Sequence, residues 1–496
     1  MKRYCVILGV LMGFAGTMNC HGSEIMACYD IPGLDCSAPS IDVGDDGTVY
    51  VCWRETRNGE TFTCTRSFQP NASPTPTYGP SLVSCVSNDA GLIRTNDFMP
   101  QVSEIVVDPE DGRASVVFFH RSYRFYRGTE HAAVFVANDI EPEYKTPTPS
   151  PTPAGATPAA PLPSYPPAVS HLECISGMAE HVKDPFVLFH PVLEEIMVFW
   201  SQHHRMSDFD HDIYCNYRSV VDPGGFGIDP ITGWHYVVKV TDSIAWRSEF
   251  WPYVAVNNSG VSGRDGELYI VSEDYTVPVP TTTWTPTPAP LTPTVTPAHN
   301  GGDVEEDDGA LIFTISSITP TPCFTCGIID TTKGYPEFSA KRASIAYFFK
   351  EAGGGQEEDQ HQLVVAYIRN LNSEEDDLLD FTKNDLGDEL VDWTTFRDYT
   401  PIPAKYIAFE GARPTIDVTP EGLFRTVFLA PDGKIYETNA FFGDDDWSTP
   451  QVIVNTTTQK ACVDMVIDPM DDDVYYIAYD EKVNDVWRVY WLKVED

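Results

Sequence analysis

The chain has little positive charge. Its 496 residues include 32 Lys+Arg against 73 Asp+Glu, which gives a formal net charge of −41 at pH 7. A nucleic-acid-binding surface and a polybasic membrane patch both need clustered cations, so this balance argues against them. Apolar residues are plentiful, with 42% hydrophobic and 12% aromatic residues. The chain can therefore bury a sizeable core, which excludes wholesale disorder.

Long uncharged apolar runs are missing after the N-terminus. The one early apolar segment, Val6–Gly16, follows two basic residues and is shorter than the roughly 20 residues that a membrane helix needs. It is typical of an export signal. We therefore predict a signal peptide over residues 1–20 and a secreted or cell-surface chain without a transmembrane segment. Lipidation of Cys20 would anchor the chain, whereas cleavage near Ala15–Thr17 would release it.

Signatures of several large enzyme classes are also absent. The sequence has no Walker-type loop, no G-x-G-x-x-G after a strand, no H-E-x-x-H and no G-x-S-x-G. Nucleotide, zinc-protease and α/β-hydrolase chemistry are disfavoured accordingly. Helical spacing is nearly absent, and the dominant signal is short runs of β-branched and aromatic residues bounded by Gly, Asp, Asn and Pro. Such runs predict an all-β fold.

The strand pattern repeats. Each copy begins Pro-x-hydrophobic-x-Val, passes a polar turn and continues into a very apolar strand that ends in an aromatic residue. The copies start at Pro39, Pro100, Pro185, Pro252, Pro336, Pro414 and Cys462. Further strands follow in each copy, and four antiparallel strands make a propeller blade. We therefore predict one domain over residues 24–496, a seven-bladed β-propeller of four-stranded antiparallel blades. An N-terminal strand at Glu24–Asp30 would complete the last blade and remove an open edge.

Proline is concentrated in two Pro/Thr-rich tracts, residues 146–167 and 276–298. Proline fixes φ and removes a backbone donor, so these tracts should be extended and solvated. We interpret them as loops inserted in blades two and four. The rival interpretation makes them linkers between two or three β-sandwich domains.

Three sets of residues carry a resemblance to a known group of proteins. They are the Pro-x-Ile-x-Val starts, the second strand Tyr50–Trp53 and the segment Trp447–Pro450. Together they resemble the sialidase-like secreted β-propellers over nearly the whole mature chain. The Asp-box of that group is not intact, since Ser87–Gly91 matches only its first half. No Arg-Ile-Pro motif is present, and sialidases have six blades where seven are counted here. The resemblance implies a propeller fold.

Charged residues follow the second strands of the first three predicted blades. They are Arg54, Glu55, His120, Arg121 and Arg205. Propeller geometry places the ends of second strands on one rim of the channel, and guanidinium groups suit carboxylate ligands. We predict a ligand-binding rim from these residues. The alternative is that the arginines pair with the abundant acidic side chains.

Two functions follow from these patterns. The lack of a complete catalytic motif favours a non-catalytic binding module that recognises a glycan or protein ligand at the cell surface. The sialidase resemblance implies the alternative, a glycoside hydrolase acting on an acidic sugar, with Glu55 as the candidate acid. A purely structural role in the cell envelope is a third interpretation.

A cluster of metal-type ligands lies in the third blade. Asp208, Asp210 and Asp212 alternate along one predicted loop, and three carboxylates at this spacing suit Ca²⁺. Histidines of the same region, among them His203 and His211, would suit a transition metal. The alternative is an ordinary solvated turn. No other cofactor is predicted.

Export predicts that most of the 12 cysteines form disulfides. One pairing is suggested by Asn58–Gly59, a strong hairpin signal. A three-residue loop centred on Asn58 would place Cys52 opposite Cys64, and we predict a bridge between them. A two-residue turn would instead place Cys64 opposite Trp53. The competing pairing joins Cys64 to Cys85.

Overall fold

The structure is a computed structural model. It describes residues 24–70, 78–80, 83–86, 101–109, 112–122, 131–140, 171–176, 182–203, 211–219, 237–241, 247–260, 265–276, 309–316, 326–329, 339–351, 359–370, 378–384, 394–395, 402–403, 413–444 and 446–495. The predicted signal peptide, Cys20, the tract 146–167 and all but the first residue of the tract 276–298 lie outside these ranges. Within them, no helix is long and apolar enough to cross a membrane.

The described chain is all-β, and its strands fall into seven groups. Group 1 contains β2 Leu34–Val43, β3 Val49–Arg57, β4 Glu60–Pro70, β5 Tyr78–Pro80 and β6 Ser84–Cys85. Group 2 contains β7 Gln101–Val107, β8 Ala114–Ser122, β9 His131–Ile140 and β10 His171–Cys174. Group 3 contains β11 Val182–His190, β12 Glu195–His203, β13 His211–Ser219 and β14 Val238–Lys239. Group 4 contains β15 Arg247–Val256, β16 Leu268–Thr276, β17 Gly309–Ser316 and β18 Cys326–Ile329.

The remaining groups follow the same plan. Group 5 contains β19 Ser339–Lys350, β20 Gln360–Asn370, β21 Leu378–Asn384, β22 Thr394–Thr395 and β23 Ile402–Pro403. Group 6 contains β24 Thr415–Val418, β25 Leu423–Leu429, β26 Ile435–Phe441 and β27 Gln451–Val454. Group 7 contains β28 Val463–Ile467, β29 Val474–Val483, β30 Val486–Glu495 and, from the start of the chain, β1 Ile25–Met26.

Hydrogen bonding makes six sheets of these groups, because groups 3 and 4 are joined through one parallel pair, His211 with Ser248. Every other pairing is antiparallel, as in a meander of short strands. The first strand of the chain pairs with the last, Ile25 opposite Trp491 and Met26 opposite Tyr490. Group 7 is thus completed by the N-terminal segment.

The first strands of the groups lie next to one another. Contacts join β2 to β7, β7 to β11, β11 to β15, β15 to β19, β19 to β24, β24 to β28, and β28 back to β2. The contacts between first strands therefore follow a cyclic order.

A β-bulge recurs in four first strands. At each bulge two residues of the first strand lie opposite one residue of the second, and the first of the two has a positive φ. The positive-φ residues are Ala38, Asp184, Trp251 and Arg342. In three groups the next residue is the proline that marks the repeat, which fits a bulge because proline has no N–H to give to the ladder.

The register predicted for the fifth blade is wrong. We expected Pro336 to open the first strand and the run Ala343–Phe349 to form the second. The structure places that run in the first strand, β19, and the second strand is β20. Ala343 occupies the position that proline holds elsewhere, directly after the positive-φ residue Arg342.

The core lies between neighbouring groups, on the two faces of each sheet. Between groups 1 and 7, Trp53, Phe68 and Trp491 share one cluster, and the rings of Phe68 and Trp491 are 5.1 Å apart. Tyr50 and Cys52, on the other face of β3, pack against group 2. Truncating a fully buried ring such as Trp491 to alanine should cost about 3–5 kcal/mol of folding free energy.

The first hairpin has the two-residue register. Asn58–Gly59 forms a turn with φ of +52° and +79°, the signature of a type I′ turn. Cys64 therefore lies opposite Trp53. Cys52 and Cys64 pack in different clusters on opposite faces of the sheet, so the predicted bridge between them is wrong. The backbone of Cys64 lies opposite that of Cys85.

Candidate functional site

The first strands enclose a cavity of about 370 Å³. All seven groups contribute to its wall. Most lining side chains are aliphatic. The polar and aromatic ones are Ser40, Asp42, Glu104, Phe186, Phe189, Tyr253, Asn258, Tyr347, Asp417 and Asp464. Its size lies within the range of small-ligand sites.

Two of the lining carboxylates join neighbouring groups. Asp42 accepts hydrogen bonds from the N–H of the residue after it at 2.8 Å and from Val107 N, in group 2, at 2.6 Å. Asp417 accepts hydrogen bonds from the N–H of the residue after it at 2.8 Å and from Ile467 N, in group 7, at 3.2 Å. Both aspartates stand at the same place in the Pro-x-Ile-Asp-Val repeat. Each therefore holds its own first strand to that of the next group.

Asp464 joins groups 7 and 1 in a related way. Its carboxylate accepts hydrogen bonds from Ile41 N and Met465 N, each at 3.0 Å, and from Thr415 Oγ1 at 3.4 Å. Buried backbone N–H groups need such partners, because an unsatisfied donor costs about 1–3 kcal/mol. The Asp464 carboxyl is thus occupied by the fold.

Burial dominates the proton affinity of these groups. It raises the pKa of Asp42 to about 7 and that of Asp417 to about 6, and the backbone N–H donors oppose the rise without cancelling it. Burial also raises the pKa of Asp464. The cavity therefore carries less negative charge near neutral pH than its four acidic residues would give in water.

Glu104 differs from the three aspartates because side chains hold it. Arg413 Nη2 donates to Glu104 Oε1 at 2.6 Å, and Ser40 Oγ lies 3.5 Å from Oε2. The two charged residues are 309 positions apart and come from groups 2 and 6. Their side chains are 12% and 11% exposed, so the pair borders the cavity and is shielded from bulk water. Burial raises the pKa of Glu104 to about 7 although Arg413 opposes the rise.

Arg413 also covers two aromatic rings. Its guanidinium carbon lies 4.5 Å from the ring centre of Tyr253 and 5.6 Å from that of Phe186. The two rings are tilted at 41°, with centres 4.4 Å apart. Cation–π contact of this kind fixes both the guanidinium and the rings. Arg413 therefore connects its own strand with groups 2, 3 and 4.

A rim of three arginines lies at the bulged end of the first strands. The charges of Arg54, Arg342 and Arg413 all oppose the rise in the pKa of the Cys462 thiol that burial causes. Arg54 donates through Nε and Nη2 to Ser37 Oγ at 3.2 and 2.9 Å. The guanidinium carbon of Arg342 lies 3.9 Å from the centre of the Trp251 ring.

Only Arg54 of this rim was predicted. Arg342 and Arg413 each stand directly before the residue that opens a repeat, Ala343 and Pro414. A comparison of the residues that precede each predicted repeat start would have found Arg413 but not Arg342, because the fifth repeat was expected to start at Pro336. They were missed because the prediction considered only the ends of second strands.

The other predicted ligand residues are not brought to this rim by the described part of the chain. Glu55 is fully buried, with Oε1 3.8 Å from Arg57 Nε. It follows Arg54 in β3 and so faces the opposite side of the sheet. His120 and Arg121 lie near the end of β8, with their side chains outside the described atoms, and Arg205 lies outside the described residues.

The predicted calcium ligands are only partly described. Asp212 lies in the strand β13 rather than in a loop and is buried. Its carboxylate forms an ion pair with Lys239 Nζ at 2.8 Å. Asp208 and Asp210 lie outside the described residues. Among the residues that are described, no three His, Cys, Asp or Glu side chains form a group that could hold a metal ion. Calcium binding stays a prediction.

Comparison with known proteins gives matches in structure. No family model and no curated protein matches the sequence. The polysaccharide lyase Uly1 has a similar structure, with a TM-score of 0.50 and 10% identity over 95% of this chain and 92% of the lyase. The fold is that of the sialidase-like β-propellers.

Two further propellers give weaker structural matches. An α-L-arabinofuranosidase of Fusarium graminearum gives a TM-score of 0.44 at 10% identity, over 96% of this chain and 97% of the enzyme. The intramolecular trans-sialidase from Ruminococcus gnavus gives 0.39 at 9% identity, over 93% and 94%.

Proposed function

We propose that the chain is a closed seven-bladed propeller that binds a glycan in its central channel without cleaving it. Three observations support the ring. They are the seven groups of four or five strands, the pairing of β1 with β30, and the contacts of the first strands in cyclic order. In this arrangement each group is one blade, and the cavity is part of the channel.

The use of the lining carboxyls carries the proposal. Glycoside hydrolysis ordinarily needs two carboxyl groups, one on each side of the scissile bond. Of the four that line the cavity, Asp42, Asp417 and Asp464 each accept two backbone N–H groups, one from the next residue and one from a neighbouring blade. Of these four, only Glu104 has a carboxylate that is held by other side chains, and it forms an ion pair with Arg413. One such carboxyl does not supply the pair that most glycoside hydrolases use, which supports a binding role.

The aromatic residues that line the cavity support a sugar as the ligand. Phe186 and Tyr253 supply aromatic surface beside the Arg413–Glu104 pair. Aromatic faces pack on the C–H faces of sugars, and the ion pair offers both donors and acceptors to ring hydroxyls. Because the chain carries a net charge of −41, a polyanion would be repelled at long range. A neutral or sparsely charged glycan fits best.

A glycan array tests this function. Wild-type protein should bind a group of related glycans, and Tyr253→Ala should weaken the binding about tenfold, since loss of one aromatic contact removes about 1.4 kcal/mol. Tyr436→Ala is the matched control, because Tyr436 lies on β26 and its hydroxyl donates to the exposed Asp432. Its binding should equal that of the wild type.

The same samples separate binding from cleavage. Incubation of each bound glycan with the protein, followed by mass spectrometry, should return the glycan intact. Cleavage products would contradict a non-catalytic role. They would favour the sialidase-like alternative if the cleaved glycans were acidic, as the rim of Arg54, Arg342 and Arg413 would then be the carboxylate site. Equal binding by wild type and Tyr253→Ala would place the site elsewhere.

Export is part of the same proposal and rests on the N-terminal sequence. Mass spectrometry of the mature N-terminus distinguishes a secreted chain from one that is lipidated at Cys20. An uncleaved Met1 on protein from the native host would contradict export.

A further inference from the structure

Two cysteines flank the turn that leads from the closing strand into the first group. Cys28 lies two residues after the end of β1, and Cys36 lies within β2. They are 3% and 0% exposed and belong to the same core cluster as Trp53 and Trp491. This cluster is the junction between group 1 and group 7, where the start of the chain meets its end.

Strand β30 holds both ends of this turn. Ala27 N donates to Val489 O at 2.9 Å, which continues the pairing of β1 up to the residue before Cys28. Trp487 N donates a hydrogen bond to the carboxylate of Asp35 at 2.7 Å. Asp35 is the residue directly before Cys36. The two cysteines are therefore carried to the same stretch of β30 by bonds that do not involve their sulfur atoms.

The turn itself is also fixed. Gly33 adopts a φ of +84°, and Leu34 N donates to Ile31 O at 3.2 Å. The guanidinium group of Arg488 lies inside the turn and donates to the carboxylate of Asp30 at 3.1 Å and to Leu34 O at 2.5 Å. Across this turn the side chains of Cys28 and Cys36 are in hydrogen-bond contact.

We propose that Cys28 and Cys36 form a disulfide bond that ties the closing strand β1 to the first strand of group 1. The bridge is a redox modification of the ring junction, and it forms whether or not the channel binds a sugar. Its closed loop spans residues 28–36. It therefore constrains the short strand β1, which has only two ladder residues of its own to hold it.

The bond forms by exchange with a small-molecule disulfide such as oxidised glutathione. The Cys28 thiolate attacks one sulfur of the oxidant, forms a mixed disulfide and releases one thiolate. The Cys36 sulfur then attacks the Cys28 sulfur and displaces the second. The two cysteines lose two protons and two electrons in total, and the oxidant leaves as two thiols.

The folded structure assigns the two sulfurs different roles. The hydrogen bond with Cys36 lowers the pKa of Cys28, whereas burial raises the pKa of Cys36. The thiolate is the attacking form. Cys28 is also the more accessible of the two, 3% exposed against 0% for Cys36, so it is the sulfur that reacts first and Cys36 resolves the mixed disulfide.

Peptide mapping of unreduced protein tests the bridge. Trypsin cannot separate the two cysteines, because the sequence has no Lys or Arg between Arg3 and Arg54. A protease that cleaves before aspartate separates them at Asp30 and Asp35. Protein made in an oxidising compartment and blocked with N-ethylmaleimide should give a peptide ending at Tyr29 linked to one starting at Asp35. N-ethylmaleimide on both cysteines, or a bridge from either one to Cys64, would overturn the pairing.

Alanine variants supply a second measurement. Cys28→Ala, Cys36→Ala and the double variant should all lower the thermal midpoint by the same several degrees, since either change removes the same bond. Dithiothreitol should lower the wild type to that level and leave the variants unchanged. Cys215→Ala, at a buried cysteine of group 3, is the control. It keeps Cys28 and Cys36, so dithiothreitol should lower its midpoint by as much as it lowers that of the wild type. Additive losses and a wild type indifferent to dithiothreitol would show that the two side chains only pack.

Discussion

The cavity has an acidic wall and an aromatic wall, and they use their side chains in opposite ways. The acidic wall consists of Asp42, Asp417 and Asp464, from groups 1, 6 and 7, and its carboxylates accept backbone N–H groups of neighbouring strands. The aromatic wall consists of Phe186 and Tyr253, from groups 3 and 4, which present rings to the cavity. The polar atoms of the first wall are occupied inside the protein, whereas the parts of the second wall's rings that Arg413 does not cover line the cavity.

The comparison shows that an acidic residue in a cavity is not by itself a functional residue. A carboxylate that accepts two backbone N–H groups satisfies donors that would otherwise be buried without a partner. A carboxylate held by side chains, such as Glu104, depends on one partner, Arg413. Arg413 is also the residue that joins the two walls, since it reaches Tyr253 as well.

The largest effect should come from Arg413→Met. The change leaves the Glu104 carboxyl buried without its cation, and breaking such a pair costs about 3 kcal/mol. Unfolding in urea measures the loss. Glu104→Gln combined with Arg413→Met should recover most of it, because the double variant buries no unpaired charge. A double variant as unstable as Arg413→Met alone would show that the aromatic contacts of Arg413, not the ion pair, hold the walls together.

Asp464→Ala should cost somewhat less, about 2 kcal/mol. It leaves Ile41 N and Met465 N in the junction between groups 7 and 1 without their acceptor. Asp471→Ala, at an exposed position of the same group, should change stability by less than about 0.5 kcal/mol. Glycan binding by Asp464→Ala at a temperature where it is folded should stay at the wild-type level. Loss of binding there would make the acidic wall part of the ligand site.

A pH dependence of stability should follow from the same buried carboxyls. The folded pKa values of Asp42, Glu104 and Asp417 are about 7, 7 and 6, above their usual values of 3.8, 4.5 and 3.8. The folded state therefore holds more protons than the unfolded state between about pH 4 and pH 7. The stability that these groups contribute is complete below that window and is lost as the pH rises through it.

Asp42→Asn isolates one of these groups. The variant has no titrating carboxyl at this position, so its unfolding free energy should fall less steeply than that of the wild type from pH 4 to pH 7. Urea unfolding at several pH values gives both slopes. Identical slopes, or a wild type that gains stability over this range relative to the variant, would contradict a raised pKa at Asp42.

Much of the fold follows from the sequence because strands are encoded locally. The Pro-x-Ile-Asp-Val starts at Pro39 and Pro414 lead into first strands, and the short apolar runs after them form second strands. The propeller resemblance is confirmed by the structure. The pairing of the N-terminal segment with the last strand also agrees with the prediction. A strand count could find it because the seventh repeat has only three strands of its own.

The sequence by itself determined the strands, the period of the repeat and the acidic composition, since each depends on neighbouring residues. Only the tertiary structure decided the registers: Asn58–Gly59 is compatible with two loop lengths, and the apolar run after Arg342 suits a first or a second strand equally well. It alone brought Glu104 to Arg413, because a contact across 309 residues leaves no trace in local pattern. It also separated Cys52 from Cys64, which a shift of one residue moves to opposite faces of the sheet.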